Sequence, residues 1–392
     1  MTDTPQDISL SGAAGAPVVP DNADVAVDAI ALDANVADVA AASVSDTDAA
    51  TEEATPKPSR GKRFLKYVGL GALFCAIMCV LLAGASHVLH PKNNTEEAGM
   101  MDVRTYSVLA EPEDTVDALF VGNSVVATAI SPMRIWEDSG ITSYVCAANG
   151  EKLTFVHYLL EQTFEKQHPK VVFIEGDMLF DPSDFAHLAR EILRQTFPGI
   201  LYHHRWSTLT LDDFTKPIEY TNSLTNKGFN AKARTKPAPN PDYMAPTDEV
   251  AQVSKVNRIL LEDIKSLCDA HDVKLVLLAV PSSLNWNMAR HNGAVQIADE
   301  FGIEFIDLNM GPSRPSIDWS TDTRDEGNHL NWHGAGKTSS MMAGILHDFG
   351  LEDHRGDEKW SAWDDALVKY HDYMARLKAN PEAYDPEGAH VG

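Results

Sequence analysis

Ser124 and His329 are the two side chains whose setting suggests covalent chemistry. Ser124 closes the run Asp117-Ala118-Leu119-Phe120-Val121-Gly122-Asn123-Ser124, where a short apolar β-type stretch delivers a hydroxyl after a glycine that permits a sharp turn. Such a serine is by itself an ordinary turn or helix-capping residue. A hydroxyl becomes a useful nucleophile only when a base takes its proton, so the reading needs a histidine. The late stretch Asn328-His329-Leu330-Asn331-Trp332-His333-Gly334 supplies one, with Asp322, Asp325 and Glu326 just upstream. A carboxylate there could orient one imidazole nitrogen while the other takes the serine's proton. His329 and His333 are also four apart, as zinc ligands can be, but no glutamate follows His329 as a metal-binding helix would require. Neither a metal nor another cofactor is expected.

The elements that must bring positions 124 and 329 together read as an alternation. Strands are expected at 117–122, 142–147, 170–175, 274–280 and 303–308, and helices at 153–166, 185–195, 250–270, 286–301 and 334–348. Near-continuous Val, Leu and Ile runs alternating with helices imply an α/β fold. The expected form is a three-layer flavodoxin-like sandwich with a parallel sheet covered on both faces. In such sheets ligands sit at the carboxyl ends of the strands, where Ser124 and His329 would both lie. The pattern is interrupted by an insertion at about 200–246, too long to be idle, which is expected to form a lid or wall over the site. Within it His204, Arg205 and Trp206 could grip an anionic or sugar substrate, and Trp286 is a further candidate contact. The blander readings are an amphipathic turn for the first three and packing at a helix start for Trp286. A helix at 358–377 carrying Trp360, Trp363, Leu367, Tyr370 and Met374 should pack back on the domain.

Twenty residues from Tyr67 to Ser86 carry no charge, enough for a helix to span about 30 Å of hydrocarbon. Lys57, Arg60, Lys62, Arg63 and Lys66 precede this run and only Lys92 closely follows it. That asymmetry puts the N-terminus in the cytoplasm and the large C-terminal part outside, making a single-pass protein of the cell membrane. The expected organisation is an acidic cytoplasmic tail at 1–60, a transmembrane helix at 64–89, a stalk at 90–110, the α/β domain at 111–350 and a helical extension at 351–392. The tail has no aromatic residue and no amphipathic period, so it should stay disordered. With 57 acidic against 32 basic residues the formal net charge is −25, which argues against nucleic-acid phosphates as a partner. Cys146 and Cys268 stand in apolar contexts as expected free thiols, and Cys75 and Cys79 lie inside the apolar run.

Gly122-Asn123-Ser124 near the start and the acid-rich loop ending in His329-Leu330-Asn331 resemble the first and last motifs of the SGNH/GDSL hydrolase superfamily. Cys146-Ala147-Ala148-Asn149-Gly150 falls where that superfamily keeps a glycine whose N–H lines an oxyanion hole. More narrowly, Ala279-Val280-Pro281-Ser282 with Trp286 and His291-Asn292, then Asp318-Trp319, is similar to membrane-anchored bacterial SGNH-like proteins. Those are architectural relatives of the teichoic acid D-alanyl transfer protein and of polysaccharide O-acetyltransferases. The resemblance implies Ser124 as nucleophile, His329 as base, and the N–H groups of Ser124 and Gly150 as oxyanion donors. The acid is Glu326, at the usual three residues before the histidine, or Asp325, whose shorter side chain is more rigid and which is preferred. The third block departs from the usual Gly-x-Asn-Asp: Ile174-Glu175-Gly176-Asp177 has no asparagine. Losing one oxyanion donor costs on the order of 10² to 10³ in rate, which leaves open a slow enzyme, one that uses Asn149 instead, or a lost activity. The implied function is acyl transfer or ester hydrolysis on a cell-envelope polysaccharide or teichoic acid. A membrane acyltransferase is a conceivable partner. The alternative is a non-catalytic domain that binds envelope glycans or scaffolds a complex.

Overall fold

The structure, a computed structural model, describes residues 60–240 and 242–380. The acidic tail expected at 1–60 lies, but for its last residue, outside them, as does the end of the C-terminal extension. Helix α1 (Arg60–Leu89) is long and apolar enough, from Arg63 to Leu89, to cross a membrane. It continues into a segment that carries the short helix α2 (Val103–Tyr106). This segment corrects the expected stalk. Met100, Val103, Tyr106, Val108 and Leu109 are all buried in the domain's core, a packing that the polar residues between them hide in the sequence. The same core holds a buried ion pair, Glu111 with Lys227 at 2.8 Å.

Five strands form a parallel sheet: β1 (Ala118–Gly122), β2 (Ser143–Ala147), β3 (Val171–Glu175), β4 (Lys274–Ala279) and β5 (Glu304–Asp307). The spatial order is β2-β1-β3-β4-β5, the flavodoxin-like order of doubly wound sheets. Both faces are covered, which is why the central strands β1, β3 and β4 read as near-continuous apolar runs. Leu119, Val121, Val172, Ile174, Leu275 and Leu277 share one cluster with α5 (Leu153–Phe164) and α8 (Lys255–Ala270). Phe120, Val145, Phe173, Val276 and Leu278 face the other way. There they meet α3 (Ser124–Ala129), α4 (Pro132–Ser139) and α10 (Trp332–Asp348). Helices α6 (Phe185–Thr196) and α7 (Leu211–Thr215) precede α8, and α9 (Met288–Phe301) joins β4 to β5. Helix α11 (Ser361–Ala379) packs back through Trp363 against Trp136 and through Tyr370, whose hydroxyl lies 2.8 Å from Ser131 Oγ. Cys146 and Cys268 are free and buried, and burial pushes both thiols well up.

Of the lid or wall expected of the insertion, its end at 232–238 fits the wall, lying beside the histidine loop. Its middle lies along the outer edge of β2, where Val145 N–H donates to Lys227 C=O at 3.0 Å and Leu224 and Phe229 are buried. Gly228 adopts φ +86°, and a Cβ there would stand 1.9 Å from Val145 O, so only glycine allows this contact. Residues 232–238 then run beside the loop that precedes α10. Trp332 N–H donates to Lys232 C=O, Lys236 N–H to Thr323 C=O and Ala238 N–H to Trp319 C=O, at 2.8 to 3.0 Å. The insertion therefore straps the histidine loop to the edge of the sheet.

Candidate active site

Ser124 is the first residue of α3 and stands directly beyond the carboxyl end of β1. Asn123 caps this helix, its Oδ1 accepting from Val125 N–H at 2.9 Å. The amide of a first helical residue has no acceptor within its own helix, which leaves Ser124 N–H free of intrahelical bonding. Gly122 is required for space rather than for its turn: a Cβ there would come within 2.7 Å of both Glu175 Cβ and Val126 Cγ1. Gly122→Ala is therefore expected to lower stability by about 1–3 kcal/mol, the usual cost of overpacking, and to displace Ser124. A lowered unfolding midpoint together with lost serine reactivity would check both parts.

Ser124 Oγ lies 2.8 Å from His329 Nε2, and His329 Nδ1 lies 2.7 Å from Asp325 Oδ2. The other Asp325 oxygen accepts from His329 N–H at 2.7 Å. A carboxylate accepting from Nδ1–H fixes the tautomer, so Nε2 is the acceptor for the serine hydroxyl. Burial would raise the Asp325 carboxyl, but its bonds from the imidazole and amide of His329 outweigh that and hold it below the usual range. Arg324, 3.5 Å away, adds a favourable charge. The acid is thus ionised at neutral pH and aimed at the imidazole.

Asp325 and Glu326 are separated by backbone conformation. Glu326 has φ +64°, and its side chain ion-pairs at the surface with Lys236 at 2.9 Å. The carboxylate three residues before the histidine is therefore turned away. The loop is held from both sides. Ser283 N–H donates to Gly327 C=O at 2.8 Å, Ser282 Oγ to Asn328 C=O at 2.8 Å, and Thr323 Oγ1 to His329 C=O at 3.0 Å. Gly327, at φ +96°, fits between Ser283 and Ala238, where a Cβ would come within 1.9 Å of Ser283 Oγ. Asn331 caps α10, accepting from His333 and Gly334 N–H. The Ser282-Ser283 pair follows β4 at the carboxyl edge of the sheet, a position that could have marked it as part of the site.

The substrate-binding expectations need correction. Arg205 is buried, its guanidinium spent on Leu89 C=O and on Asp213, each at 2.6 Å, and His204 and Trp206 share its turn beside the end of α1. Trp286 is only 2% exposed and donates to Asp307 Oδ2 at 3.1 Å, with its ring over Gly176. It is a core residue. Asn149 and Gly150 are exposed on the turn after β2, where Gly150 takes φ +72° with open space around its Cα. In the third block, Asp177 is buried and accepts from Asn123 Nδ2 at 2.7 Å. The position where the resemblance implies an asparagine donor is held by Gly176, and the neighbouring Asp177 presents an acceptor.

Burial pushes the Asp177 carboxyl up to about 6, against the opposing effect of the Asn123 bond, and pushes Glu175 well up with a further contribution from Asp177. Since folding raises the pKa of Asp177, the folded state favours the protonated acid. The destabilisation is absent below the ordinary value of 3.8 and develops as pH rises to about 6. Its full size is about 3 kcal/mol at most. Asp177→Asn, which keeps an acceptor for Asn123, is expected to make stability fall less steeply between pH 4 and 6, by about one proton. Unfolding midpoints measured across that range check this.

The strand order, a serine opening the helix after β1, and a histidine with its acid before the last helix of the sandwich together form the arrangement that the sequence resemblance implied. The fold is SGNH-like. No protein-family model matches the chain, and no curated protein matches it. Among solved structures the SGNH-like domain is similar to a Streptococcus pneumonia chain provisionally described as a platelet activating factor, at 10% identity and TM-score 0.33, covering 71% of this chain and 99% of that one. It is also similar to a provisionally named acylhydrolase from Bacteroides fragilis, at 12% identity and TM-score 0.29, covering 62% and 93%. A provisionally named GDSL-like lipase from Parabacteroides merdae matches at 11% identity and TM-score 0.29, covering 60% and 99%.

Proposed function

We propose that the chain catalyses acyl transfer or ester hydrolysis through an acyl-Ser124 intermediate. The chief support is the unbroken path from Ser124 Oγ through His329 to Asp325, with both links inside hydrogen-bonding distance. In this reading Ser124 Oγ attacks the acyl carbonyl carbon while its proton passes to His329 Nε2. The carbonyl oxygen, now negative, is met by the N–H groups of Ser124 and Gly150, with Asn149 as a further donor. When the tetrahedral centre collapses, the leaving alcohol oxygen takes the proton from Nε2 and the acyl group stays on Ser124. Water or an acceptor hydroxyl then attacks, giving its proton to Nε2, and Ser124 recovers a proton as the new acyl product leaves. Asp325 stabilises the imidazolium in both halves.

The crowding of basic residues before the apolar helix supports a cytoplasmic N-terminus and a domain outside the cell membrane. An anchored external domain suits an envelope polysaccharide or teichoic acid as substrate and a membrane acyltransferase as partner. The test is labelling of the full chain in detergent micelles with a fluorophosphonate, which reacts with activated serines. Labelling of the native chain, lost in Ser124→Ala and His329→Ala, is the expected result. A folded chain that takes no label would favour the second reading, a glycan-binding or scaffolding domain. Gly176, which has no side-chain donor to offer in the third block, is the observation on that side.

A further inference from the structure

Helix α6 presents the wrong face to solvent. In a helix packed on a soluble domain the apolar stripe turns inward. Here no residue of α6 is buried, and Phe185, Ala189, Ile192 and Leu193, which share one side at helical spacing, are all exposed. Phe185 is 67% exposed. The side that meets the domain carries one apolar residue, Leu188, among polar ones: Gln195 Nε2 donates to Thr154 C=O at 3.2 Å, and His187 Nε2 lies 3.4 Å from Thr154 Oγ1. Arg190 and Arg194 flank the exposed apolar stripe. The following segment repeats the pattern, with Trp206 74%, Leu211 77% and Phe214 57% exposed. Leaving this much hydrocarbon in water forfeits roughly 25 cal/mol for each Å² that could be covered.

What covers it is indicated by the segment's contacts with the apolar helix. Gly199 N–H donates to Ser86 Oγ at 3.0 Å, and a Cβ on Gly199 would stand 3.0 Å from the Ser86 backbone. Arg205 holds Leu89 C=O, and Tyr202 packs edge-on to His90 with ring centres 5.5 Å apart. Glu219 N–H closes the same region on Lys92 C=O at 2.9 Å. The uncharged run of α1 ends at Ser86, and twenty residues at 1.5 Å each span the hydrocarbon, so this contact falls at its boundary. Apolar faces flanked by arginines, with tryptophan, suit the headgroup layer of a bilayer.

We infer that the segment from Phe185 to Ile218 is a membrane-surface platform, its exposed apolar side chains seated in the interfacial layer of the bilayer that α1 crosses. The occupant is lipid, and no protein partner is needed to cover the face. The platform also tethers the domain close to the membrane rather than letting it swing on a stalk.

The test uses the full chain reconstituted into vesicles of phosphatidylethanolamine and phosphatidylglycerol containing no other protein. In a Cys75→Ala, Cys79→Ala background, where the remaining Cys146 and Cys268 are buried, one accessible cysteine at a time is placed by Ile192→Cys, Phe214→Cys and, on α9 beside β5, Asp299→Cys. Each is labelled with an environment-sensitive fluorophore. The expected result is blue-shifted emission at 192 and 214, quenched by brominated lipid and several-fold less accessible to aqueous iodide than at 299. Labels at 192 and 214 as open to iodide as that at 299 would overturn the proposal and leave the face to a protein partner. The three replaced side chains are solvent-exposed, so loss of fold does not confound the comparison. The outcome does not depend on whether Ser124 is reactive.

Discussion

Ser124→Ala is expected to lower hydrolysis of an activated ester by about 10³- to 10⁴-fold. In fully equipped serine hydrolases the nucleophile or its base is worth about 10⁶ in turnover, and a missing oxyanion donor takes about 10² to 10³ from the total. The difference gives the expected loss. His329→Ala should cost about as much, and the double variant no more than either, because the two groups act as one unit. The fold should survive, since half-buried Ser124 gives up one hydrogen bond, worth about 1 kcal/mol. Initial rates with a soluble ester, together with circular dichroism of each variant, provide the check. A Ser124→Ala chain that keeps its rate would place the activity elsewhere.

Asp325→Asn is the second large effect, expected to reduce turnover by about 10⁴-fold, as loss of the acid does where it fixes the histidine tautomer. An asparagine amide facing Nδ1 would favour the tautomer whose Nε2 carries the proton, and such a nitrogen cannot accept one from Ser124. Glu326→Gln removes only a surface ion pair with Lys236, worth at most about 1 kcal/mol. Its rate should stay within about twofold of the parent. The ratio between the two variants is informative. Equal effects would mean that the loop rearranges around substrate and that Glu326 can replace its neighbour.

The sheet was legible because β1, β3 and β4 are buried on both faces and therefore read as runs of Val, Leu, Ile and Phe; the observed strands fall within one residue of those expected. Pairing Ser124 with His329 across 205 positions was legible for a topological reason, since both follow strands at one edge of a parallel sheet. The choice of acid was legible only as a preference for Asp325, the carboxylate that meets His329. It turns on the left-handed backbone at Glu326, stabilised by neighbours contributed from the insertion and from the loop after β4. Arg205 and Trp286 were misread for a similar reason: residue type gives a capacity to bind ligand, while burial decides whether that capacity is already used. Arg205 is spent on the end of α1, and Trp286 on Asp307. The stalk reading failed because the apolar residues of 100–109 are spread among polar ones, and their packing against distant elements leaves no periodic mark.

The strap along β2 also bears on self-association. A sheet edge with free amides and carbonyls is a template on which another copy of the chain can add a strand. Lys227 occupies that position by accepting from Val145 N–H, and its buried pairing with Glu111 keeps the segment from peeling away. Cutting out 220–232 would therefore produce chains that aggregate edge to edge.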